Sequence, residues 1–175
     1  MITNIAKSAL HTLSGNRKMY YKKVQELAND ANGKVVLEIG SGKQVKGNYS
    51  YSTHHLFADA KKFIKTDVNP EFGHRVLDIT QMNDKSKYDI ILCLNVLEHV
   101  YDFQLAVDNL HKALKHDGKL VVAVPFTFPL HDEPGDYWRF TEHSLRKMLG
   151  NFSSTDITPQ RSRRWPTGYF AVATK

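Results

Sequence analysis

The feature that most constrains the fold of this 175-residue chain is an almost continuously apolar run, YDIILCL, over 88–94. A run of this kind is typical of a strand that is covered on both faces of a parallel sheet. Four further short runs alternate with helical patterns, at 34–39, 62–66, 75–77 and 119–124. Strands that alternate with helices predict an α/β fold, a mostly parallel sheet with helices on both faces.

The remaining elements follow from helical spacing and from stop signals. Apolar residues at helical spacing predict helices over 17–31, 103–114 and 141–149. Asn32-Gly33 is expected to end the first helix, Asp117-Gly118 the second, and Thr141 is the expected N-cap of the third. The segment 43–60 predicts mostly loop with one short helix. Strands near 152–157 and 168–174 have no helix between them, which predicts an antiparallel hairpin at one edge of the sheet.

Size and composition fit a single domain over 1–175, with a helical segment at 1–33 and the α/β core at 34–175. Hydrophobic residues make up 41% of the chain and charged residues 24%, as in an ordinary globular protein. The single cysteine, Cys93, excludes an internal disulfide and cysteine-rich zinc sites. Because no apolar run is long enough to span a bilayer and no signal peptide is visible, we expect a cytoplasmic protein.

Glycines and acids stand where the predicted strands end, and ligands of open α/β sheets bind beyond the carboxyl ends of the strands. The segment Gly40-Ser41-Gly42 lets the backbone approach a ligand closely. Asp67 can accept hydrogen bonds from both hydroxyls of a ribose. At Asp78-Ile79, the acid can accept a hydrogen bond from the exocyclic amine of adenine, and the apolar side chain of Ile79 can pack against the adenine ring. Together these features predict an adenosine site.

A dinucleotide is the alternative ligand for this site. Its fingerprint requires a third glycine at the position of Val45, so that a helix N-terminus can meet the pyrophosphate. Glu38, two residues before the first glycine, would repel a pyrophosphate and favour a cationic group. S-adenosylmethionine, with its ammonium and sulfonium, fits this charge. A nicotinamide-dependent dehydrogenase is therefore the least favoured interpretation.

At these positions the chain resembles the class I S-adenosylmethionine-dependent methyltransferases, most closely the small-domain group called type 11. The resemblance runs from about 35 to 149. The matching motifs are VLEIGSG at 36–42, Asp67, Asp78-Ile79, YDIILCLNVLEHV at 88–100 and LKHDGKL at 114–120. The chain departs from the family pattern at Gln44, where a third glycine is usual, and at 43–60, where many members have a helix.

The resemblance implies a Rossmann-like seven-stranded sheet in the order 3-2-1-4-5-7-6, with the last strand antiparallel. It implies S-adenosyl-L-methionine as the cofactor. The predicted cofactor-binding residues are Glu38, Gly40, Ser41, Gly42, Asp67, Val68, Asp78, Ile79, Leu94 and Asn95. We expect no bound metal, since the remaining histidines show no ligand spacing.

The acceptor side of the site is predicted in the loop after the fifth strand. The segment 125–140, PFTFPLHDEPGDYWRF, has more aromatic and charged residues than a solvent-exposed turn needs. It also looks like a stretch in a subset of these enzymes, whose members include uncharacterised proteins and others linked to cell-envelope glycans. The predicted catalytic residues are His99, His131, Asp136, Tyr137 and Arg139. The alternatives are that His99 positions the cofactor or caps the next helix, and that Trp138 and Phe140 are core residues of a packed loop.

The leading hypothesis is methyl transfer to a small-molecule or glycan-linked acceptor. The acceptor is expected to be anionic, because Arg139 can hold a carboxylate or phosphate with two parallel bonds; alternatively Arg139 pairs with Asp136 or Glu142. An RNA methyltransferase fits the net charge of +6 and the basic segment 161–165, but the chain lacks an Asn-Pro-Pro-Tyr motif after the fourth strand. A non-catalytic S-adenosylmethionine-binding protein of the same fold is the third alternative.

Overall fold

The computed structural model describes residues 20–43 and 52–175, and it contains one seven-stranded sheet. The strands are β1 (Val35–Ile39), β2 (Lys62–Asp67), β3 (Arg75–Val76), β4 (Tyr88–Leu94), β5 (Leu114–Pro125), β6 (Ser154–Arg161) and β7 (Pro166–Thr174). The helices are α1 over 20–28, α2 (Phe103–Ala113) and α3 (Glu142–Met148), with 3₁₀ turns at His54–Leu56, Pro70–Phe72 and Leu97–His99. The predictions made for 1–19, Gln44 and Val45 lie outside the described residues.

The strand order is β3-β2-β1-β4-β5-β7-β6, so the predicted order is confirmed. Strand β1 pairs in parallel with β2 and β4, and β4 pairs in parallel with β5. Strand β7 is antiparallel to both β5 and β6. The antiparallel edge hairpin is therefore confirmed. Both sheet edges are short or interrupted: β3 has two residues, and β6 contains Pro159.

Helices cover both faces of the sheet because adjacent strand residues point to opposite sides. Leu37 and Ile91 are fully buried on one face, in a cluster with residues of α2 and α3. Val36 and Ile90 are buried on the other face, with residues of α1. No helix in the described part of the chain is long and apolar enough to cross a bilayer.

The expectation that Asp117-Gly118 closes the second helix is wrong. Helix α2 ends at Ala113, and β5 begins at the next residue. The pairing of β4 with β5 shifts register between Tyr88 and Ile90, and Asp117 has a φ of 59° within this irregularity. An Asp-Gly pair readily adopts left-handed backbone, which occurs both at the C-terminus of a helix and in a β-bulge. In this protein the pair forms a bulge.

The predicted N-cap of α3 is present. The Thr141 hydroxyl accepts a hydrogen bond from Ser144 N, 3.1 Å away, and the Ser144 hydroxyl accepts one from Thr141 N at 2.8 Å. This reciprocal cap begins α3 directly after the loop that follows β5. The cap therefore sets where that loop ends.

Candidate functional site

The carboxyl ends of β1 and β2 bring the glycine segment and Asp67 together. Gly42 N donates to Asp67 Oδ2 at 2.9 Å, and Asn69 N donates to Asp67 Oδ1 at 2.9 Å. Ser41 N donates to the Thr66 carbonyl at 2.9 Å. An ionised carboxylate offers about two acceptor positions on each oxygen, so these two bonds leave Asp67 capable of accepting two more. The acid predicted to hold a ribose thus lies beside the loop predicted to approach the cofactor.

Glu38 is buried and fully hydrogen-bonded within the protein. Its Oε1 accepts from Thr53 N and Thr53 Oγ1 at 2.7 and 2.8 Å. Its Oε2 accepts from Ser41 Oγ and Ser52 Oγ. These four donors match the acceptor capacity of a carboxylate. Glu38 therefore ties the glycine segment to residues 52–53, and both of its carboxylate oxygens take part in this connection.

Two positions of the glycine segment require glycine. Gly40 has a φ of +66°, and a Cβ there would lie 2.6 Å from Val96 Cγ2. Gly42 has a φ of +67°. Left-handed backbone is costly for residues that carry a Cβ, and the contact at Gly40 also leaves no room for one. The end of β1 consequently lies directly against the segment after β4.

A pocket of about 170 Å³ opens beside the glycine segment. Its lining residues are Ser41, Gly42, Ser52, His54, His55, Lys65 and His74. His74 was not singled out from the sequence, where a lone histidine before a short strand gives no signal. Its Nε2 donates to the Gly42 carbonyl at 2.9 Å, which supports the loop from the β3 side. His54 and His55 are exposed.

The remaining predicted cofactor residues differ in exposure. Asp78 is exposed, and its Oδ1 accepts from Thr80 N and Thr80 Oγ1. Ile79 is only 4% exposed and packs in the hydrophobic core, so most of its side chain is unavailable to an adenine ring. Leu94 is half-buried at the end of β4 and Asn95 is exposed, with a φ of 54°. Val68 is 68% exposed, directly after Asp67.

Asp136 and Arg139 form an ion pair inside the loop that follows β5. The guanidinium contacts both carboxylate oxygens, and the Asp136 side chain is 1% exposed. The hydrogen bonds from Arg139 hold the pKa of the Asp136 carboxyl well below its usual range. Further donors of Arg139 face the carbonyls of Phe128, Pro129 and Trp138. The alternative in which Arg139 pairs with Asp136 to hold the loop is the observed arrangement.

Since all five N–H groups of a guanidinium are matched by these acceptors, Arg139 is a positioning residue of the loop. The prediction that it holds an anionic acceptor has no support from its geometry. Glu142, the other suggested partner of Arg139, instead accepts from Arg146 and Arg163 at 3.0 Å each.

The loop after β5 is fastened to the 3₁₀ turn after β4. Tyr137 N and Trp138 N both donate to the Glu98 carbonyl, at 2.9 and 3.2 Å. Trp138 Nε1 donates to the Val100 carbonyl at 3.1 Å. Phe140 is 3% exposed and Trp138 packs against the core, as the packed-loop alternative expected, whereas Tyr137 is 49% exposed. The loop therefore combines a packed base with an exposed aromatic side chain.

The predicted residues His99 and His131 lie together, with ring centroids 4.8 Å apart. His99 Nδ1 is 2.9 Å from the Gly135 carbonyl, and His131 Nδ1 is 3.2 Å from Asp136 Oδ2. The loop after β5 thus reaches the turn after β4, at the edge of the sheet that also carries the glycine segment.

Glu98 lies beside these histidines and was not among the residues predicted from the sequence. Its side chain is fully buried, and neither carboxyl oxygen has a hydrogen-bond partner among the described residues. Burial raises the pKa of the Glu98 carboxyl to about 8. The available signal was an acid directly before a strand-end histidine, but the sequence does not reveal that such an acid is buried.

A wider cleft of about 570 Å³ lies between the start of α3 and the turn that joins β6 to β7. It is lined by Phe126, Thr141, Glu142, His143, Arg163, Arg164, Pro166 and Tyr169. Because β7 is antiparallel to β5, this turn lies at the carboxyl end of β5, where Pro125 pairs with Gly168. From the sequence, the basic turn between β6 and β7 could not be assigned to the end of the sheet that carries the candidate site. The antiparallel pairing of β7 with β5 brings the turn to that end.

Comparison with known proteins identifies the family. A family model described as a methyltransferase domain matches residues 13–158. A polyketide synthase, ThaQ, of Burkholderia thailandensis is 33% identical over an alignment of 87 residues, and the match covers 44% of this chain and 4% of that protein. The chain thus spans a small part of that relative.

Solved structures share the fold at low sequence identity. The CurJ carbon methyltransferase has a TM-score of 0.63 and 19% identity, covering 98% of this chain and 55% of that one. A 1,6-didemethyltoxoflavin-N1-methyltransferase of Burkholderia thailandensis, with bound 1,6-didemethyltoxoflavin and S-adenosylhomocysteine, has a TM-score of 0.58 and 18% identity, covering 97% and 89%.

Proposed function

This chain belongs to the methyltransferase-domain family, and from that membership we propose that it is an S-adenosylmethionine-dependent enzyme that methylates a small acceptor. The observation that carries the proposal is the bond between Gly42 N and Asp67 Oδ2. It brings the acid that ends β2 to the glycine loop after β1, at the carboxyl ends of the strands, where open α/β folds bind ligands.

S-adenosylmethionine is the cofactor. The fit rests on chemistry present in the site: Asp67 retains acceptor capacity for two ribose hydroxyls, and Gly40 and Gly42 present bare backbone. Asp78, exposed after β3, is the acceptor for the adenine amine in this proposal. We assign Val68, Leu94 and Asn95, which lie at or directly after the carboxyl ends of β2 and β4, to the rest of the cofactor site in this proposal. The bound cofactor supplies a methyl group that its sulfonium already activates.

The protein's part in the reaction is alignment and exclusion of water. In this proposal the glycine segment and Asp67 would hold the methyl donor, and the loop after β5 would hold a lone pair of the acceptor in line with the methyl group. In this proposal His99, His131 and Tyr137 face the acceptor, while Asp136 and Arg139 hold the loop that carries His131 and Tyr137. The tight attachment of this loop to the turn after β4 supports that division.

We place the anionic end of the acceptor in the cleft beside the β6–β7 turn. Arg164 and Arg163 line this cleft together with Thr141 and Glu142, and Arg163 uses its Nε to donate to Glu142, which leaves its two NH₂ groups for an anion. Arginine is suited to carboxylates and phosphates because its guanidinium can form two parallel bonds. A small molecule or the end of a glycan fits a cleft of this size. Structured RNA would need a longer basic surface and many phosphate contacts.

Calorimetric titration with S-adenosylmethionine, S-adenosylhomocysteine and NAD tests the cofactor assignment. We expect the first two to bind and NAD not to bind. A methyl-transfer assay with the radiolabelled cofactor then compares small anionic acceptors, glycan fragments and structured RNA. Binding of RNA that is tight and falls steeply with salt would favour the RNA alternative. Cofactor binding with no transfer to any acceptor would favour a non-catalytic binding protein.

A further inference from the structure

Glu98 has an environment that neither the core nor the packed loop explains. Its side chain has no exposure, and both carboxyl oxygens lack a hydrogen-bond partner within 20–43 and 52–175. Burying an unpaired carboxylate is costly, and buried charges are ordinarily paired or bound to metals. The Glu98 backbone carbonyl, which accepts two bonds from the loop, fixes the residue in place. The backbone of Glu98 is therefore held in place, while both oxygens of its carboxyl group lack a hydrogen-bond partner in the described part of the chain.

Two imidazole groups lie close enough to share a ligand with this carboxylate. One ligand atom each from Glu98, His99 and His131 can be chosen so that all three lie within 4.8 Å of one another. Ligand atoms that sit about 2.0–2.2 Å from a tetrahedral zinc ion lie about 3.3–3.6 Å from one another. Side-chain movements of about 1 Å would therefore bring the three atoms to ligating distance.

Both histidines are oriented as metal ligands usually are. A metal-binding histidine commonly donates its other ring N–H to a carbonyl or a carboxylate. His99 Nδ1 lies 2.9 Å from the Gly135 carbonyl, and His131 Nδ1 lies 3.2 Å from Asp136 Oδ2. If each Nδ1 donates its proton to that oxygen, each Nε2 keeps a free lone pair. The Asp136–Arg139 ion pair then serves to orient His131.

We propose that Glu98, His99 and His131 form a binding site for one divalent transition-metal cation, with zinc as the type ion. Two imidazoles and one carboxylate are a ligand set that such cations use when further coordination positions stay open. His131, whose side chain is 27% exposed, provides the entry path. If the proposed function holds, the open coordination positions of the metal ion would bind water or a donor atom of the methyl acceptor. The binding claim itself does not depend on methyl transfer.

The test uses the full chain, purified without a histidine tag and dialysed against a chelator. Titration with Co²⁺ is followed by visible absorption, and Zn²⁺ affinity is measured by competition with a chromophoric chelator. We expect one ion per chain and the absorption of a cobalt ion bound by nitrogen and oxygen ligands. Glu98→Gln removes the charged ligand, and His131→Ala removes the ligand at the entry. Each is expected to weaken binding at least 10-fold.

His116→Ala is the matched control, because the His116 side chain is 92% exposed and distant in sequence from the site. Thermal unfolding without metal shows whether Glu98→Gln is folded, and the half-buried His131 position gives a second variant if it is not. A wild-type chain that takes up no Co²⁺ would overturn the proposal. So would stoichiometric binding that both variants retain, since the ion would then lie elsewhere. Calorimetry with S-adenosylmethionine, run separately, reports on the cofactor site independently of these outcomes.

Discussion

Gly42 N and the Asp67 carboxylate are joined by a hydrogen bond of 2.9 Å that spans the gap between the ends of β1 and β2. The acid is thereby oriented before any ligand arrives, and the second bond, from Asn69 N, fixes its other oxygen. Preorganisation of this kind reduces the entropy cost of binding. The glycine loop and the acid act as one unit, so a change at either should disturb both.

Replacing Asp67 by Ala is expected to weaken S-adenosylmethionine binding about 10- to 150-fold, since hydrogen bonds to a charged group contribute about 1.5–3 kcal/mol. Calorimetry measures the change. Asp59→Ala is the control, because Asp59 is an exposed acid outside the pocket. Affinity that is unchanged in the Asp67 variant would remove this residue from the cofactor site.

Glu38→Gln should lower the free energy of unfolding by about 1–3 kcal/mol, because the amide cannot accept from all four donors that surround the carboxylate. Urea denaturation measures the effect, with the exposed Glu26→Gln as the control. A direct contact between Glu38 and the cofactor would give a different result. Cofactor affinity would then fall while stability stayed the same.

Gly40→Ala is expected to destabilise the protein by about 1–3 kcal/mol, because the new Cβ would lie 2.6 Å from Val96 Cγ2. Combining it with Val96→Ala should recover part of this loss. The cost of the positive φ remains in the double variant. Thermal unfolding of the two single variants and the double variant separates the contributions. Purely additive effects would mean that the steric contact is relieved by other movements.

Arg139→Ala is expected to cost about 3–5 kcal/mol, because it leaves the buried Asp136 carboxylate without its charged partner. Arg139→Lys should recover only part of this loss, since an ammonium cannot reproduce the two parallel bonds. The free energy of unfolding of both variants is the measurement. If Arg139 instead contacts the acceptor, both variants would fold normally and lose turnover.

Asp84, which lies away from the candidate site, is expected to make the free energy of unfolding depend on pH. Burial alone would raise the pKa of its carboxyl, but hydrogen bonds from Lys87 and Tyr88 outweigh this and hold the pKa below its ordinary value. The ionised carboxylate contributes its whole stabilisation at pH values above about 3.9, the pKa of Asp in the unfolded chain. This contribution is lost as the pH falls through the lower pKa that Asp84 has in the folded protein. Asp84→Asn should therefore cost about 1–2 kcal/mol at pH 7 and progressively less below pH 4.

Urea denaturation of the wild type and of Asp84→Asn at pH 7 and at pH 3 tests this sign. The exposed Asp59→Asn serves as the control at both pH values. A difference in the free energy of unfolding that is equal at the two pH values would show that the charge of Asp84 contributes nothing.

The strand order and the hairpin at the sheet edge could be predicted because they depend on patterns local to each segment and on family resemblance. The Asp117-Gly118 bulge could not, because the same dipeptide ends helices and forms bulges; only the pairing with β4 decides between them. Two of the three residues that donate to Glu38, Ser52 and Thr53, are 14 and 15 residues further along the chain, in a segment without clear periodicity.

Two further features could not be predicted from the sequence because tertiary packing decides them. They are the ion pair between Asp136 and Arg139 and the lack of hydrogen-bond partners for the buried Glu98 carboxyl group. In a loop, an arginine three residues after an acid can turn towards it or towards solvent, and tertiary packing decides. Burial of Glu98 results from the later loop folding over the turn after β4, which the residues near Glu98 do not encode.

The two edges of the sheet bear on how the chain behaves at high concentration. An edge strand offers unpaired backbone groups to which a strand of another molecule can add. Here β3 presents only two residues, and β6 carries Pro159, which has no N–H to donate, as well as the charged Asp156 and Arg161. Both edges are therefore poor templates for intermolecular strand addition, and this protects the apolar strands β4 and β5 from joining aggregates through the sheet.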